Sequence, residues 1–156
     1  MAEALNSPGV EEWRVVPSVP EMLASSWGRV MRRPYMKGHK TGSCVRWYRS
    51  KPTYGVVTSA RKGAKHTYRG LYRRGIGNVK VHRLVCEAFH GPAPEGKNVV
   101  IHINEDAHDN RPQNLKWGTQ KENLNAPGFK AWQRTRTGEN HPVYKAKMAR
   151  LAREAA

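Results

Sequence analysis

The sequence predicts an α+β fold, in which a small antiparallel sheet leads into a strand–loop–strand–helix unit and a basic helical arm follows. Two observations predict it. Short runs with β-branched and aromatic residues, separated by glycines, occupy residues 54–81, as antiparallel strands joined by turns would. At residues 81–89 the apolar positions instead recur every three or four residues, which is typical of one face of a helix.

The individual elements follow from these two patterns. We expect strands within residues 54–59, 66–73 and 78–81, because each run is short and bounded by turn formers. The helix of residues 81–89 should end at the Gly-Pro pair that follows it.

Residues 98–125 contain the most informative pattern. A β-branched run at 98–103 predicts a strand that carries His102, and a long polar loop and a short return strand follow it. Thr119 and Glu122 have the spacing of a capping box, so a short helix carrying Asn123 should begin at residue 120.

The two ends of the chain are less regular. Residues 34–53 are basic and rich in glycine and proline, and predict a linker or a loose hairpin. We expect residues 127–143 to be extended and residues 144–155 to form a basic helix. Within residues 11–33 a small apolar cluster is expected from Trp13, Val16, Met22, Leu23, Trp27 and Val30.

The charge indicates an anionic partner. The chain of 156 residues has 28 Lys and Arg against 12 Asp and Glu, a net charge of +16. Such an excess destabilises the compact state unless a partner screens it. Nucleic acid is the leading candidate, and an acidic membrane surface is the second.

Composition also excludes several classes of protein. No apolar run approaches the roughly 20 residues that span a bilayer, so we expect no membrane-embedded part. The N-terminus lacks the pattern of a secretory signal. Cys44 and Cys86 are too few for a disulfide scaffold or a CxxC zinc site, which fits a cytoplasmic protein.

Three segments together resemble the ββα-metal finger of HNH endonucleases, in the phage and homing branch of that family. They are residues 81–92, 102–106 and 109–123. Residues 12–30 look like the small nuclease-associated module that often precedes such a finger. The resemblance implies an N-terminal module and basic linker, a nuclease domain and a basic C-terminal arm with a helix, at residues 11–52, 53–126 and 127–156.

The resemblance also implies a chemistry. The family's H-N-H positions fall on His102, Asn114 and Asn123. The family hydrolyses phosphodiester bonds of double-stranded DNA with one divalent ion, Mg²⁺ or Mn²⁺, and needs no small-molecule cofactor. His102 would be the general base, Asn123 a metal ligand and Asn114 a brace for the loop. An imidazole suits the first role because it titrates near neutral pH, and an amide oxygen suits a hard cation.

One position departs from the family. The residue before the catalytic histidine is often an Asp or His metal ligand, and here it is Ile101. The departure favours either a site with fewer protein ligands or a finger that binds DNA without cutting it. Possible substitute ligands lie in the following loop, where a solvated role is the alternative for each: Asn104, Asp106, His108 and Asp109.

Basic residues outside the finger predict the DNA contacts, most of them to phosphates, which position a protein without specifying a sequence. A two-stranded ribbon within residues 54–74 could enter the major groove. For His82, a structural role at the start of the helix competes with a phosphate contact. The predicted DNA-binding residues are Arg29, Arg32, Arg33, Arg46, Arg61, Lys62, Lys65, Arg69, Arg73, Arg74, His82, Lys130, Arg134 and Arg136.

The resulting hypothesis is a metal-dependent DNA endonuclease, a monomer or homodimer, acting in the cytoplasm of a phage-infected or bacterial cell. The main alternative is a non-catalytic DNA-binding protein on a decayed finger. A basic RNA-binding or ribosome-associated protein would explain the charge, but it would not explain the H-N-H pattern.

Overall fold

A computed structural model describes residues 9–38, 45–58, 67–73 and 77–154 of the chain. These residues form an α+β fold with small antiparallel sheets. The strands are β1 (Trp13–Val16), β2 (Val19–Ser25), β3 (Val30–Arg32), β4 (Tyr35–Gly38), β5 (Val45–Tyr48), β6 (Val56–Val57), β7 (Arg69–Arg73), β8 (Gly77–Lys80), β9 (Val99–His102) and β10 (Leu115–Gly118). The α-helices are α1 (Val81–His90), α2 (Gln120–Leu124), α3 (Pro127–Arg134) and α4 (Pro142–Glu154), with 3₁₀ turns at Pro112–Asn114 and Gly138–Asn140.

The N-terminal segment forms a three-stranded antiparallel sheet in the order β1-β2-β3. Val16, Met22 and Val30 turn inward and are fully or almost fully buried, which confirms them as core residues. Trp27, expected in the same cluster, is 44% exposed instead because it lies in the turn between β2 and β3.

Residues 34–53 contain a hairpin, in which β4 pairs with β5 in antiparallel register. A second three-stranded sheet has the order β6-β7-β8, so strands form in all three runs where the sequence predicts them. The segment between β6 and β7 lies largely outside the described residues.

Helix α1 is the central element of the core. Its buried side chains include Val81, Leu84 and Val85, and they share one apolar cluster with Met22 of β2 and Leu115 of β10. Glu87 also ties α1 to the β1–β2 turn, because its carboxylate accepts bonds from the backbone N and hydroxyl of Ser18, both at 2.6 Å. The N-terminal sheet and the β9–β10 unit therefore pack on the same helix.

The predicted strand–loop–strand–helix unit is present. β9 and β10 pair antiparallel, with His102 opposite Leu115. The capping box at the start of α2 is confirmed, since Thr119 Oγ1 accepts from the Glu122 N–H at 3.1 Å and Glu122 accepts from the Thr119 N–H at 2.7 Å.

The prediction of an extended segment at residues 127–143 was wrong. Helix α3 occupies its first half, with Pro127 in the first turn of the helix. A proline there lacks only an N–H that has no helical partner anyway, so it starts a helix as well as ending the preceding one. Phe129 and Trp132, three residues apart, pack their rings at 5.6 Å on one face of α3.

Within the described part of the chain, no helix is long and apolar enough to cross a membrane. Cys86 is a free buried thiol, and Cys44 lies outside the described residues.

Candidate active site

A partly open cleft with about 60 Å³ of free volume lies between the end of β9, helix α2 and the start of α3. Its polar lining is Tyr68, His102, Glu105 and Asn123. Its apolar lining is Val100, Ile101, Ala107, Ala126 and Phe129. Two of the three predicted H-N-H side chains, His102 and Asn123, therefore meet in one cleft.

His102 is the last residue of β9 and is half-buried. Its Nε2 lies 3.0 Å from Oδ1 of Asn110, across the polar loop. Because an amide oxygen only accepts, Nε2 carries the proton of the neutral ring and Nδ1 is its basic nitrogen.

The surroundings keep His102 neutral near pH 7. Burial is the largest influence and lowers the pKa of His102 below its usual 6.5, because it disfavours the charged imidazolium. The bond to Asn110 and the carboxylates of Asp106 and Asp109 oppose this shift. The ring is therefore neutral and able to accept a proton at pH 7.

His82 lies behind His102 and not on the surface. It is 5% exposed, and its ring meets the ring of His102 edge-on at 5.3 Å and that of Tyr68 at 5.0 Å. Burial, followed by repulsion from His102, lowers the pKa of His82 to about 3. The prediction that His82 contacts a phosphate is therefore wrong, because a buried neutral ring does not reach a DNA backbone.

Asn114 lies outside the cleft and is almost fully buried under the polar loop. Its Oδ1 accepts from the Asn104 N–H at 2.9 Å, and its Nδ2 donates to Asn104 Oδ1 and to the Asp109 carbonyl, each at 2.8 Å. Its carbonyl accepts from the N–H of Ile103 at 2.8 Å. These bonds close the loop immediately after His102.

The four suggested substitute ligands form hydrogen bonds inside the loop and, for His108, with Thr67. Asn104 Nδ2 donates to Asp109 at 3.1 Å, and both carboxylate oxygens of Asp109 accept from the Arg111 guanidinium. Asp106 accepts from the N–H of His108 at 2.8 Å, and the His108 ring bonds Thr67 at 3.2 Å. None of the four lines the cleft.

Two residues of the site were missed from the sequence. Asn110 orients His102, and Glu105 lines the cleft. Glu105 has a backbone φ of 60°, a left-handed conformation that non-glycine residues rarely adopt. Both follow the predicted catalytic strand, but only the folded loop shows which of its polar side chains turn back toward His102.

The side-chain oxygen atoms that line the cleft suit a hard divalent cation. Among the residues described by the structure, no three His, Cys, Asp or Glu side chains form a complete metal cage. Mg²⁺ does not need one, because it keeps several waters and binds through one or two carboxylates together with substrate phosphates. Asn123 and Glu105 offer oxygen donors beside His102, whereas the Ile101 side chain is buried and apolar.

The predicted DNA-binding residues are spread over several surfaces. Arg29 pairs with Glu11, and its guanidinium lies 5.1 Å from the Trp27 ring centre, so its charge is already engaged. Four of the predicted residues are exposed, namely Arg33, Arg46, Lys130 and Arg134. Four others are half-buried, namely Arg32, Arg69, Arg73 and Arg136. Arg61, Lys62, Lys65 and Arg74 lie outside the described residues.

Three of the half-buried arginines lie near aromatic rings. Arg32 lies 4.0 Å above Tyr35, Arg136 lies 5.0 Å from Trp132, and Arg69 lies 5.9 Å from Tyr54. Such contacts hold the guanidinium over the face of the ring.

Residues 79–125 match the family model described as HNH endonuclease. A 46-residue segment, 29% of the chain, is 52% identical to an uncharacterized HNH endonuclease, L247, of Acanthamoeba polyphaga mimivirus, and spans 12% of that protein's length. A solved structure titled "DNA binding and cleavage by the HNH homing endonuclease I-HmuI" is 27% identical, with a TM-score of 0.47; the match covers 80% of this chain and 66% of that one.

Proposed function

We propose, because residues 79–125 match the HNH endonuclease family model, that the protein is a metal-dependent endonuclease that hydrolyses phosphodiester bonds in double-stranded DNA. The observation that carries the proposal is the cleft in which His102, held by Asn110, lies beside Asn123 and Glu105. A base and oxygen donors in one solvent-accessible cleft are what hydrolysis of a phosphodiester requires.

His102 acts as the general base. Its Nδ1 takes a proton from water, the water oxygen attacks phosphorus, the bond from phosphorus to the leaving oxygen breaks, and the leaving alkoxide takes a proton from solvent water. Asn110 retains the Nε2 proton and fixes the plane of the ring. Since the lowered pKa of His102 keeps the ring neutral at pH 7, no proton must be removed from the base before the reaction.

Asn123 would hold the divalent cation beside His102 through its amide oxygen. When bound, a divalent ion such as Mg²⁺ or Mn²⁺ stabilises the charge that develops on the phosphate and the leaving oxygen. Asn114 acts at a distance, by holding the loop that carries Asn110 and Glu105 in its conformation.

DNA binding rests on the net charge of +16. We propose that the exposed basic residues of the β4–β5 hairpin, of α3 and of α4 contact phosphates, and that the β6–β7 ribbon adds contacts in a groove. One finger supplies one active site per chain, so the proposed product of a monomer is a nick, whereas a homodimer would carry two sites and cut both strands.

We place this activity in the cytoplasm of a bacterial or infected cell, in a viral or mobile-element setting of the phage and homing type. The viral origin of the curated relative supports a viral setting.

A second candidate is a DNA-binding protein that has lost catalysis. Ile101 favours it, because the position that often holds a metal ligand is occupied by a buried apolar side chain. The two candidates differ in one outcome, which is whether the protein breaks DNA strands when supplied with metal.

Plasmid nicking tests the proposal. Supercoiled DNA incubated with the protein and Mg²⁺ or Mn²⁺ should become open circular, and EDTA should abolish the reaction. His102→Ala should bind DNA normally and slow nicking by about 10²–10⁴, the usual cost of a lost general base. Equal nicking by wild type and His102→Ala would contradict the mechanism. Tight DNA binding without nicking would favour the second candidate.

A further inference from the structure

The cleft needs an anionic ligand if it is to hold a divalent cation. Asn123 is a neutral amide, and Nε2 of His102 is committed to Asn110. The strand residue before His102 is Ile101, which has no donor atom. If the protein is the proposed metal-dependent nuclease, the missing negative charge must come from another residue of the cleft.

Only one carboxylate lines the cleft among the residues that the structure describes, and it belongs to Glu105. The other two carboxylates of the loop do not line the cleft. Asp109 forms a bidentate salt bridge with Arg111, and Asp106 accepts a hydrogen bond from the N–H of His108.

The backbone brings Glu105 back toward His102. The N–H of Glu105 donates to the carbonyl of His102 at 3.1 Å, which closes a tight turn at the end of β9. Glu105 itself has a φ of 60°, where a residue with a side chain is disfavoured and glycine would be free of strain. The position therefore carries a carboxylate at a conformational cost, and that carboxylate faces the cleft.

The carboxylate of Glu105 is also held in place. Its Oε1 accepts from the N–H of Gly128, at the start of α3, at 2.9 Å. A Cβ at residue 128 would overlap Oε2 of Glu105 in its present rotamer, so the carboxylate lies directly against the glycine backbone. Carboxylates that bind metals are commonly oriented in this way by a second hydrogen bond.

We propose that Glu105 is a ligand of the divalent cation and supplies the negative charge that Ile101 does not. The site then consists of the Glu105 carboxylate, the Asn123 amide oxygen, water and a DNA phosphate, a set that suits Mg²⁺ and Mn²⁺. The ligand comes from the turn after the catalytic strand and not from the strand itself.

Titration of the full-length protein with Mn²⁺, followed by the electron paramagnetic resonance signal of free Mn²⁺, tests the inference without DNA. Glu105→Gln keeps an oxygen that accepts from Gly128 but removes the charge. Glu105→Gly removes the side chain and relieves the positive φ, so it guards against loss of folding. Asp106→Asn is the matched control, because it makes the same chemical change one residue away. Circular dichroism checks the fold of each variant.

We expect the Kd for Mn²⁺ to rise by about tenfold or more in both Glu105 variants, and to change by less than about twofold in the control, whose charge is solvent-screened. Wild-type affinity in both Glu105 variants would overturn the inference, as would equal weakening by Asp106→Asn or no Mn²⁺ binding by the wild type. If the wild type nicks DNA and Glu105→Gln binds Mn²⁺ as the wild type does, Glu105 is not a metal ligand, but the proposed endonuclease activity stands. Mn²⁺ binding that depends on Glu105, without any nicking, would support Glu105 as a metal ligand and reject the endonuclease activity.

Discussion

The hydrogen bond between His102 and Asn110 leaves Nδ1 as the nitrogen of the ring that can accept a proton. The Asn110 side chain is almost fully buried, and its Oδ1 accepts from Nε2 at 3.0 Å, so the proton stays on that nitrogen. An amide orients the ring without adding charge, whereas a carboxylate in the same place would stabilise the imidazolium.

This difference predicts the effect of Asn110→Asp on the pH dependence of nicking. In the wild type the rate should fall only below pH 6.5, since burial lowers the pKa of His102 and the base must be neutral. The aspartate should raise that pKa, and the midpoint of the pH–rate profile should move up by about one unit or more.

Asn98→Asp is the control, because it adds the same charge at an exposed position outside the cleft. Nicking rates measured from pH 5 to 9 for the three proteins provide the comparison. A midpoint that does not move in Asn110→Asp would mean that the His102–Asn110 bond does not govern the base.

At the scale of elements, the N-terminal sheet supports the polar loop. Gly28, in the turn between β2 and β3, has a φ of +78° and packs so closely that a Cβ would lie 2.7 Å from the carbonyl carbon of Asn110. The turn therefore sets the position of the residue that holds His102.

We expect Gly28→Ala to impair both stability and nicking. A side chain at positive φ costs about 1 kcal/mol or more, and the clash should displace Asn110. Gly96→Ala is the matched control, because Gly96 has a φ of +73° but no atom within 4 Å of the added Cβ. Thermal melting should show a loss in both variants, while nicking by the folded protein should fall only in Gly28→Ala. Normal nicking by Gly28→Ala would show that the loop tolerates the shift.

Helix α3 is part of the cleft and not only of the basic arm. Phe129 lines the cleft, and the N–H of Gly128 bonds Glu105. Deleting residues 127–156 would therefore remove one wall of the site together with the basic residues, and would not isolate the contribution of charge.

At the scale of the whole molecule, substitution on α4 separates charge from the cleft. Each phosphate contact contributes about −0.9 to the slope of log K against log salt. Replacing the four exposed basic residues by Gln, a good helix former, should make the slope less steep by up to about 3.6 and weaken binding to all sequences alike. The four are Lys145, Lys147, Arg150 and Arg153.

The measurement is a salt titration of DNA binding for wild type and variant, with circular dichroism to verify the helix. Nicking at saturating protein should be unchanged, because no residue of the cleft is altered. An unchanged slope would place the phosphate contacts elsewhere, on the β4–β5 hairpin or the β6–β8 sheet.

The sequence by itself determined the elements around His102. Helix α1, strands β9 and β10 and the capping box of α2 depend on periodicity and on hydrogen bonds between residues three or four apart. Such signals are local, so they can be read without knowing the fold. Helix α3 was missed because a proline that ends one helix can equally begin the next.

Only the tertiary structure decided how the cleft is built. Asn110 bonds His102 because the polar loop folds back on β9, Glu105 meets Gly128 of α3 across the cleft, and Gly28 abuts Asn110 from another sheet. These contacts join residues that are 8, 23 and, for Gly28 and Asn110, many more positions apart. Pattern and propensity carry no information about which distant side chains meet, because that depends on how the sheets pack around α1.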